Sequence, residues 1–281
     1  ARNSALALQY YEMACDAGAG YACYDLASMY WSGDDVAEND AEVAILFEKS
    51  CWLGDPNGCF RLGDLFADGT LLPKNAARSA EYFEMACNGG RADGCRQIGK
   101  SYVYGVGVAQ NPKKGAALIQ KACDDHSMEA CVDLSALYQF GTGVPQDEGR
   151  AAELAKKACD GNSMPGCVQL GMLYSIGSDA IKDAAQSVAL FQKGCDANVD
   201  EGCVGLAGLY NTGFGVKQDI TKARALLEKS CNHGSALGCF GLAGMYGRID
   251  SAKALELLDK VCPAIPAACD KAKSIRSRMG P

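Results

Sequence analysis

The sequence predicts an all-α protein, a right-handed αα-solenoid of antiparallel helix pairs, and three observations lead to this fold class. Sixteen cysteines occur as eight pairs, and the first seven pairs follow one another every 36 residues. Apolar, small and glycine positions recur around the pairs with the same period. Such self-similarity is typical of repeat proteins, in which stacked units bury one another's apolar faces.

The cysteine pairs set the register of the repeat. Within the first seven pairs the two cysteines are eight residues apart, whereas the last pair has a spacing of seven and arrives five residues early. The pairs are Cys15 and Cys23, Cys51 and Cys59, Cys87 and Cys95, Cys123 and Cys131, Cys159 and Cys167, Cys195 and Cys203, Cys231 and Cys239, and Cys262 and Cys269.

The first predicted helix of each unit, helix A, begins near the second cysteine, which we number position 0. Position 3 is Leu or Ile, position 4 is small and position 7 is aromatic, so these residues lie on one helix face. Six units place a glycine at position 10, where a helix stop often requires a positive φ. These glycines are Gly33, Gly69, Gly105, Gly141, Gly177 and Gly213.

The second predicted helix, helix B, ends near the first cysteine of the next pair. Its start is indicated by Asp40, Asp147 and Asp219, because acidic side chains suit a helix N-terminus. A small residue eight positions before the cysteine and a large apolar residue four before it predict close helix packing. Examples are Ser79, Gly115, Ala151, Ser187 and Ala223 for the small residue, and Phe47, Phe83, Ile119, Phe191 and Leu258 for the large one.

We expect a single solenoid over residues 1–281, with a partial N-terminal repeat at 1–18, regular periods over 19–246 and a shortened last unit and cap over 247–281. Tyr246 lies 16 residues before Cys262, whereas the equivalent Tyr210 lies 21 residues before Cys231. This difference predicts a shortened turn at Gly247–Ile249. We expect the stack of helices to end near Ser277. The first nine residues lack the basic and apolar regions of a signal peptide.

The repeat resembles Sel1-like repeats. The motif is LSALYQFGTGVPQDEGRAAELAKKAC from Leu134 to Cys159 and LAGLYNTGFGVKQDITKARALLEKSC from Leu206 to Cys231. The cysteine spacing is similar to that of the Helicobacter cysteine-rich subfamily. The resemblance implies repeats related to the tetratricopeptide repeat and a role as an assembly adaptor. It also implies an alternative, because cysteine-rich members are associated with penicillin binding or β-lactam hydrolysis.

One disulfide is predicted within each cysteine pair. An antiparallel turn from helix B to the next helix A brings the two Cα atoms within roughly 4.4–6.8 Å, and each short closed loop is worth about 2–3 kcal/mol in the chain-entropy model. Zinc ligation is the alternative, but the two cysteines of a zinc-binding pair usually enclose two or four residues, and His126 and His233 are the only histidines. We therefore expect no metal and no cofactor.

The number of cysteines also predicts where the protein acts. Sixteen cysteines suit an oxidising compartment, so we expect a periplasmic or secreted location.

Sequence motifs for catalysis do not occur in the chain. No serine is followed three residues later by lysine, and H-E-x-x-H, G-x-S-x-G, C-x-x-C and K-T-G are missing. The G-x-G segments follow predicted helices and recur with the repeat, which favours turns over phosphate loops; both histidines fall in predicted B–A loops. We predict no catalytic residue and no hydrolytic turnover, and we keep a β-lactam or peptidoglycan hydrolase as the alternative.

A protein or peptide partner is predicted on the side of helix A opposite the packed face. Positions 1, 2, 5, 8 and 9 differ between units and span a contiguous arc of about 80–200° at 100° per residue. Side chains typical of interfaces lie there. They are Tyr24, Asp25, Trp31, Arg61, Asp64, Gln97, Lys100, Tyr104, Gln139, Phe140, Gln169 and Met172.

Three further expectations concern this variable face. Trp31 and Phe140 have the alternative of packing under A–B loops. Asp25 and Asp64 are expected to approach each other on an open, wet surface, where Arg61 keeps them ionised. The C-terminal units carry Gly205, Gly208, Gly241 and Gly244 on this face, so we expect the partner toward the N-terminal half.

Charge and hydropathy exclude two other classes of partner. The net charge is −7 and no run of Lys or Arg forms a phosphate-binding stripe, so we expect no nucleic acid. No apolar stretch approaches the roughly 18 residues that a membrane span requires. We expect a monomer.

Overall fold

The computed structural model of the protein describes residues 4–33, 39–247 and 249–279. These residues form sixteen α-helices, with no strand among them. The helices are α1 (Ser4–Asp16), α2 (Gly20–Ser32), α3 (Asp40–Trp52), α4 (Pro56–Asp68), α5 (Ala76–Asn88), α6 (Ala92–Tyr104), α7 (Pro112–Asp124), α8 (Met128–Phe140), α9 (Glu148–Asp160), α10 (Met164–Ile176), α11 (Ala184–Asp196), α12 (Asp200–Thr212), α13 (Ile220–Asn232), α14 (Ala236–Tyr246), α15 (Ser251–Val261) and α16 (Pro266–Met279). Odd-numbered helices are the predicted B helices and even-numbered ones the A helices, which confirms the all-α repeat fold.

The chain divides into two compact units, Ala1–Gln146 and Asp147–Pro281. Within each unit every helix packs against the next one in sequence, and several A helices also contact the A helix of the adjacent repeat. This nearest-neighbour packing is that of a solenoid, in which each repeat buries its apolar face against the following one.

The B helices begin with a side-chain cap at a fixed place in the repeat. An Asn or Asp carboxamide or carboxylate oxygen accepts a hydrogen bond from the backbone N–H three residues later, which satisfies a donor that the helix itself leaves free. The caps are Asn39, Asn75, Asn111, Asp147, Asp183, Asp219 and Asp250. All three predicted acidic residues lie at a helix start: Asp147 and Asp219 are caps, and Asp40 is in the first turn of α3, where Asn39 provides the cap.

Glycine ends most A helices in the left-handed conformation, as predicted. Gly33, Gly69, Gly105, Gly141 and Gly213 have φ between 66° and 80°. The prediction is wrong for Gly177, which is extended at φ −66°. Asp179 replaces the second glycine of the G-x-G segment here, and the chain turns differently, with the N–H groups of Ile181 and Lys182 donating to the Ser178 carbonyl.

Each regular B helix ends in a Schellman motif, which the sequence analysis missed. The residue three after the first cysteine has a positive φ, and the next residue donates its N–H to the carbonyl one before that cysteine. The left-handed residues are Gly18, Gly54, Gly90, His126, Asn162, Asn198 and Gly234. His126 therefore has a structural place in a B–A loop, and His233 caps α13 in the equivalent loop of a later repeat.

Eight disulfides join the cysteines of each pair, as predicted, and no cysteine is free. The paired Cα atoms are 4.4–4.8 Å apart, at the short end of the range for disulfides. Each bridge connects the end of a B helix to the start of the next A helix, so the angle between the two is held at every junction.

The G-x-G segments are A–B turns, as predicted. The second glycine has φ between 72° and 75° at Gly107, Gly143 and Gly215. A Cβ atom at Gly107 would lie 2.0 Å from the carbonyl oxygen of Ala76, the first residue of α5. The glycine is thus required because the loop of one repeat touches the start of the preceding B helix.

The last A–B connection is shortened, as predicted, although Arg248 lies outside the described residues. Helix α14 has 11 residues rather than the 13 of the other A helices before it, and only residues 247–250 separate it from α15. The five missing residues therefore come from both the helix end and the loop. The final helix, α16, ends at Met279, two residues after the predicted end near Ser277.

We predict that His126→Gly raises the free energy of unfolding by about 1 kcal/mol, because glycine tolerates the left-handed conformation that a Cβ atom disfavours. Gly90→Ala is the matched control at the equivalent position of the preceding junction. A Cβ atom there would have no other atom within 4 Å, so its expected loss of about 1 kcal/mol is purely conformational. Equilibrium urea unfolding of the oxidised proteins measures both; equal stabilities would contradict the junction geometry.

Candidate functional site

The A helices present one packed and one accessible face, as their sequence pattern indicates. Positions 0, 3 and 4 are buried in the regular repeats, as at Cys95, Ile98 and Gly99. Position 9, which also lies on the variable arc, is exposed in every A helix whose position 9 is described. Tyr104 is 66% exposed and Phe140 is 72% exposed, so Phe140 does not pack under a loop.

Two of the predicted partner residues are not accessible. Gln139 and Gln169 are only 8% and 9% exposed. They occupy positions 8 and 2, the two edges of the variable arc. The part of the helix A surface that a partner could contact is therefore narrower than the sequence variation suggests. Partner binding by the other predicted residues remains a prediction.

The first unit carries a cluster of aromatic and charged side chains at the start of this face. Trp31 is 37% exposed and packs edge-on against the buried ring of Phe47, with ring centroids 5.8 Å apart. The guanidinium carbon of Arg61 lies 5.7 Å from the centre of the Trp31 ring, and an Arg61 nitrogen lies 3.7 Å from an Asp64 oxygen. Tyr24 packs against Phe47 from the same helix as Trp31. The arrangement fixes the Trp31 ring while leaving one side of it accessible.

Asp64 differs from the solvated carboxylate that the sequence predicts. Burial raises its pKa to about 6 in spite of the opposing effect of Arg61, and only a quarter of the side chain is exposed. Burial and then Asp55 raise the pKa of Asp25, whereas the carboxylates acting on Asp64 are Asp68 and Asp93. Asp25 and Asp64 therefore respond to different neighbours. The predicted open, wet surroundings are wrong for Asp64, which is partly buried, whereas Arg61 does favour its ionised form, as predicted.

A second polar contact on this face links two repeats of the first unit. The Arg96 Nε donates to an Asp133 oxygen at 2.5 Å, joining α6 to α8. Gln97 and Lys100 lie on the same helix as Arg96 and are half-buried. Charged side chains are thus largely paired along this part of the surface, while the Tyr104 and Phe140 rings stand free of the core.

An apolar groove of about 620 Å³ lies on the same face of the second unit. Its walls come mainly from α10 and α12, with single residues from α11, α14 and the loop after α12. The lining residues are Val168, Met172, Ser175, Ile176, Phe191, Glu201, Val204, Gly205, Gly208, Leu209, Thr212, Phe214 and Leu237. Of the predicted partner residues, only Met172 lies in it.

Two glycines of α12 line the groove, and they differ in what the fold requires of them. A Cβ atom at Gly205 would lie 2.5 Å from the Phe191 ring, so packing excludes a side chain there. A Cβ atom at Gly208 would have no other atom within 4 Å. Glycine inside a helix is about 0.5–1 kcal/mol less favourable than alanine, so Gly208 lowers helix stability without a packing reason.

The groove is the part of the surface that the sequence analysis missed. The glycines of the C-terminal repeats predicted a poor binding face because they contribute no side chain. In the structure the missing side chains create the concavity. A signal was present, since Val168, Met172, Ile176 and Val204 fall at variable positions but are all apolar.

No helix within the described ranges is long and apolar enough to cross a bilayer. Across the same residues, no three His, Cys, Asp or Glu side chains group together as a metal site. His233 faces Asp200, with 3.5 Å between the Nδ1 and Oδ1 atoms. The features of the A-helix face that could recognise a partner are therefore its groove, its exposed apolar side chains and its paired charges.

We predict that Asp64→Asn makes the protein more stable at neutral pH, and that this gain shrinks as the pH falls from about 6 toward 4. The folded protein binds a proton on Asp64 at higher pH than the unfolded chain does, because its pKa is raised to about 6 from 3.8. Above pH 6 the buried carboxylate therefore lowers the free energy of unfolding, and protonation removes that cost.

Asp133→Asn is the matched control, because Asp133 is equally exposed but forms the short contact with Arg96. We expect it to lower stability at neutral pH. The midpoints of urea unfolding of the wild type and both variants, measured across this pH range, test the two predictions. A gain for Asp64→Asn that does not depend on pH would show that burial does not raise the pKa of Asp64.

Two solved bacterial proteins have the same fold. One is c5321, a protective antigen present in uropathogenic Escherichia coli strains, with a TM-score of 0.72 and 24% identity over 92% of this chain and 56% of that chain. This chain thus spans little more than half the length of that antigen. Another is a Sel1 repeat protein from Oxalobacter formigenes, with a TM-score of 0.71 and 20% identity over 84% of this chain and 96% of that one.

A third solved structure, Helicobacter pylori cysteine rich protein B, is 32% identical over 44% of this chain and 90% of that chain, with a TM-score of 0.37. A comparison with curated proteins gives no match. The Sel1 repeat matches residues 1–18, 20–55, 56–90, 92–127, 129–163, 165–199 and 200–235. Since these seven segments cover most of the sequence, the chain belongs to the Sel1 repeat family.

Proposed function

We propose that the protein is a binding scaffold or adaptor for another protein or a peptide, and that it acts outside the cytoplasm, in the periplasm or after secretion. Sel1 repeats mediate protein interactions, and the accessible face of the A helices is the surface that would do so here. Eight structural disulfides support the location, because reducing compartments rarely keep such bonds. We propose a monomer that does not bind nucleic acid.

The observation that carries the proposal is the exposed aromatic surface on helices held rigidly by disulfides. Trp31, Tyr104 and Phe140 all lie at positions 8 or 9 of an A helix and are accessible, and Arg61 lies over the Trp31 ring. Trp, Tyr and Arg are the residues that most often dominate the binding energy of protein interfaces. A rigid surface also loses little entropy when it binds.

The neighbours of Asp64 favour binding over catalysis. Two arginines and two carboxylates act on it, and these groups pair charges across the surface. A hydrolase would need an activated nucleophile beside such an acid and a group that stabilises developing negative charge. We therefore propose that Asp64 orients Arg61 for a partner. Host contact or toxin neutralisation would use the same face.

A pull-down with the oxidised protein and a triple variant, Trp31→Ala, Arg61→Ala and Tyr104→Ala, tests this proposal. We expect the variant to lose most of the partner recovered from periplasm or culture medium, because it removes the aromatic and cationic contacts together. Circular dichroism confirms that the helices persist.

The matched control is the double variant Ile45→Ala and Trp52→Ala on the B helix α3, where the side chains are 57% and 70% exposed. It removes exposed apolar area from a B helix, and we expect recovery to be unchanged. Equal recovery with the triple variant and the wild type would eliminate the A-helix face of the first unit as the binding surface.

A further inference from the structure

The apolar groove of the second unit contains a glycine that the fold does not explain. Gly208 is exposed in the interior of α12, and a Cβ atom there would touch nothing. Alanine would therefore be accommodated and would favour the helix. The consequence of glycine at this position is open space above the helix backbone, which is useful to a ligand and not to packing.

The space that Gly208 opens suits a large apolar side chain. Val168, Met172, Ile176 and Val204 surround it, and the buried Phe191 ring lies beneath Gly205. The volume of about 620 Å³ lies within the range of sites that enclose ligands. The hydroxyls of Ser175 and Thr212 already donate to carbonyls of their own helices, so they do not make this lining a polar site.

Charge narrows the identity of the ligand. Glu201 is the one charged residue among those lining the groove, it is exposed, and it lies at the N-terminal end of α12. A fatty acid or phospholipid would bring an anionic headgroup toward this carboxylate, which is unfavourable. A peptide with Lys or Arg next to its apolar residue complements both the lining and the charge.

We propose that the groove binds a short apolar peptide segment of the partner, with one large aliphatic or aromatic side chain over Gly208 and a Lys or Arg beside Glu201. This inference rests on the proposed function as a peptide- or protein-binding scaffold and names the chemistry of a second contact. It adds a surface in the second unit to the aromatic cluster of the first.

A library of random linear peptides, selected on the immobilised full-length oxidised protein, provides the probe. Enriched peptides are synthesised, and their dissociation constants are measured by fluorescence anisotropy for the wild type, Gly208→Leu and Glu201→Gln. We expect enriched peptides to share a large apolar residue close to Lys or Arg. Gly208→Leu should weaken their binding by at least about tenfold, because leucine occupies the space of the anchor.

Matched variants separate occlusion from unfolding. Gly208→Leu should melt no lower than the wild type, since it replaces a helix glycine at an open position. If it does not fold, Gly208→Ala takes its place with a smaller but still measurable loss of affinity. Glu201→Gln should reduce the preference for peptides with Lys or Arg over otherwise identical peptides with Gln.

Each other outcome overturns the inference. Some peptides could bind the wild type and Gly208→Leu equally but fail to bind the Trp31, Arg61 and Tyr104 triple variant. This result would support the proposed function and show that the groove is not the peptide-binding site. Binding of dansyl-undecanoic acid that Gly208→Leu abolishes, without any enriched peptide, would assign the groove to lipid. A library without enrichment and no lipid binding would show that the groove has no apolar ligand.

Discussion

Each B helix and the following A helix meet at a junction where their backbones nearly touch, and the rest of the structure depends on this contact. The disulfide there joins Cα atoms that are only 4.4–4.8 Å apart. The residue before the second cysteine is therefore glycine or alanine. At Gly58, Gly94 and Gly202 a Cβ atom would lie 2.8 Å from the backbone nitrogen of the first cysteine of the pair.

The junction determines which surface is available for binding. Once the disulfide and the Schellman turn fix the end of helix B against the start of helix A, positions 0, 3 and 4 of the A helix must face the core. Positions 5 and 9 then point away from the centre of that face, and position 9 carries the exposed rings of Tyr104 and Phe140. The same scaffold thus presents aromatic and paired charged side chains in the first unit and an apolar groove in the second.

Sequence alone was sufficient for the features that repeat. The period, the helix pairs, the disulfide pairing and the G-x-G turns follow from residues that recur every 36 positions, because each serves the same local contact in every unit. Gly177 departs from its predicted conformation, and the N–H groups of Ile181 and Lys182 donate to the Ser178 carbonyl in this turn. Gly69 keeps the left-handed conformation although its loop also lacks a second glycine, so the periodic pattern does not distinguish the two turns.

The candidate site was less predictable because it depends on what surrounds each side chain. Gln139 and Gln169 vary between repeats and yet are buried. Burial also raises the pKa of Asp64, although the helix pattern places this residue on the accessible face. Gly208 contributes no side chain, so its role emerges only when the apolar residues around it are placed in three dimensions.

Peptide mapping of the oxidised protein under non-reducing conditions tests the junction most directly. Trypsin cleaves between the cysteines of the pair at Cys87 and Cys95, after Arg91, and between no other pair. The account predicts that every other pair lies in one tryptic peptide, two hydrogens lighter than its reduced form, and that Cys87 and Cys95 hold two peptides together. Any peptide that links cysteines of different pairs, or any thiol that labels in the native protein, would contradict a repeat closed by its own disulfide.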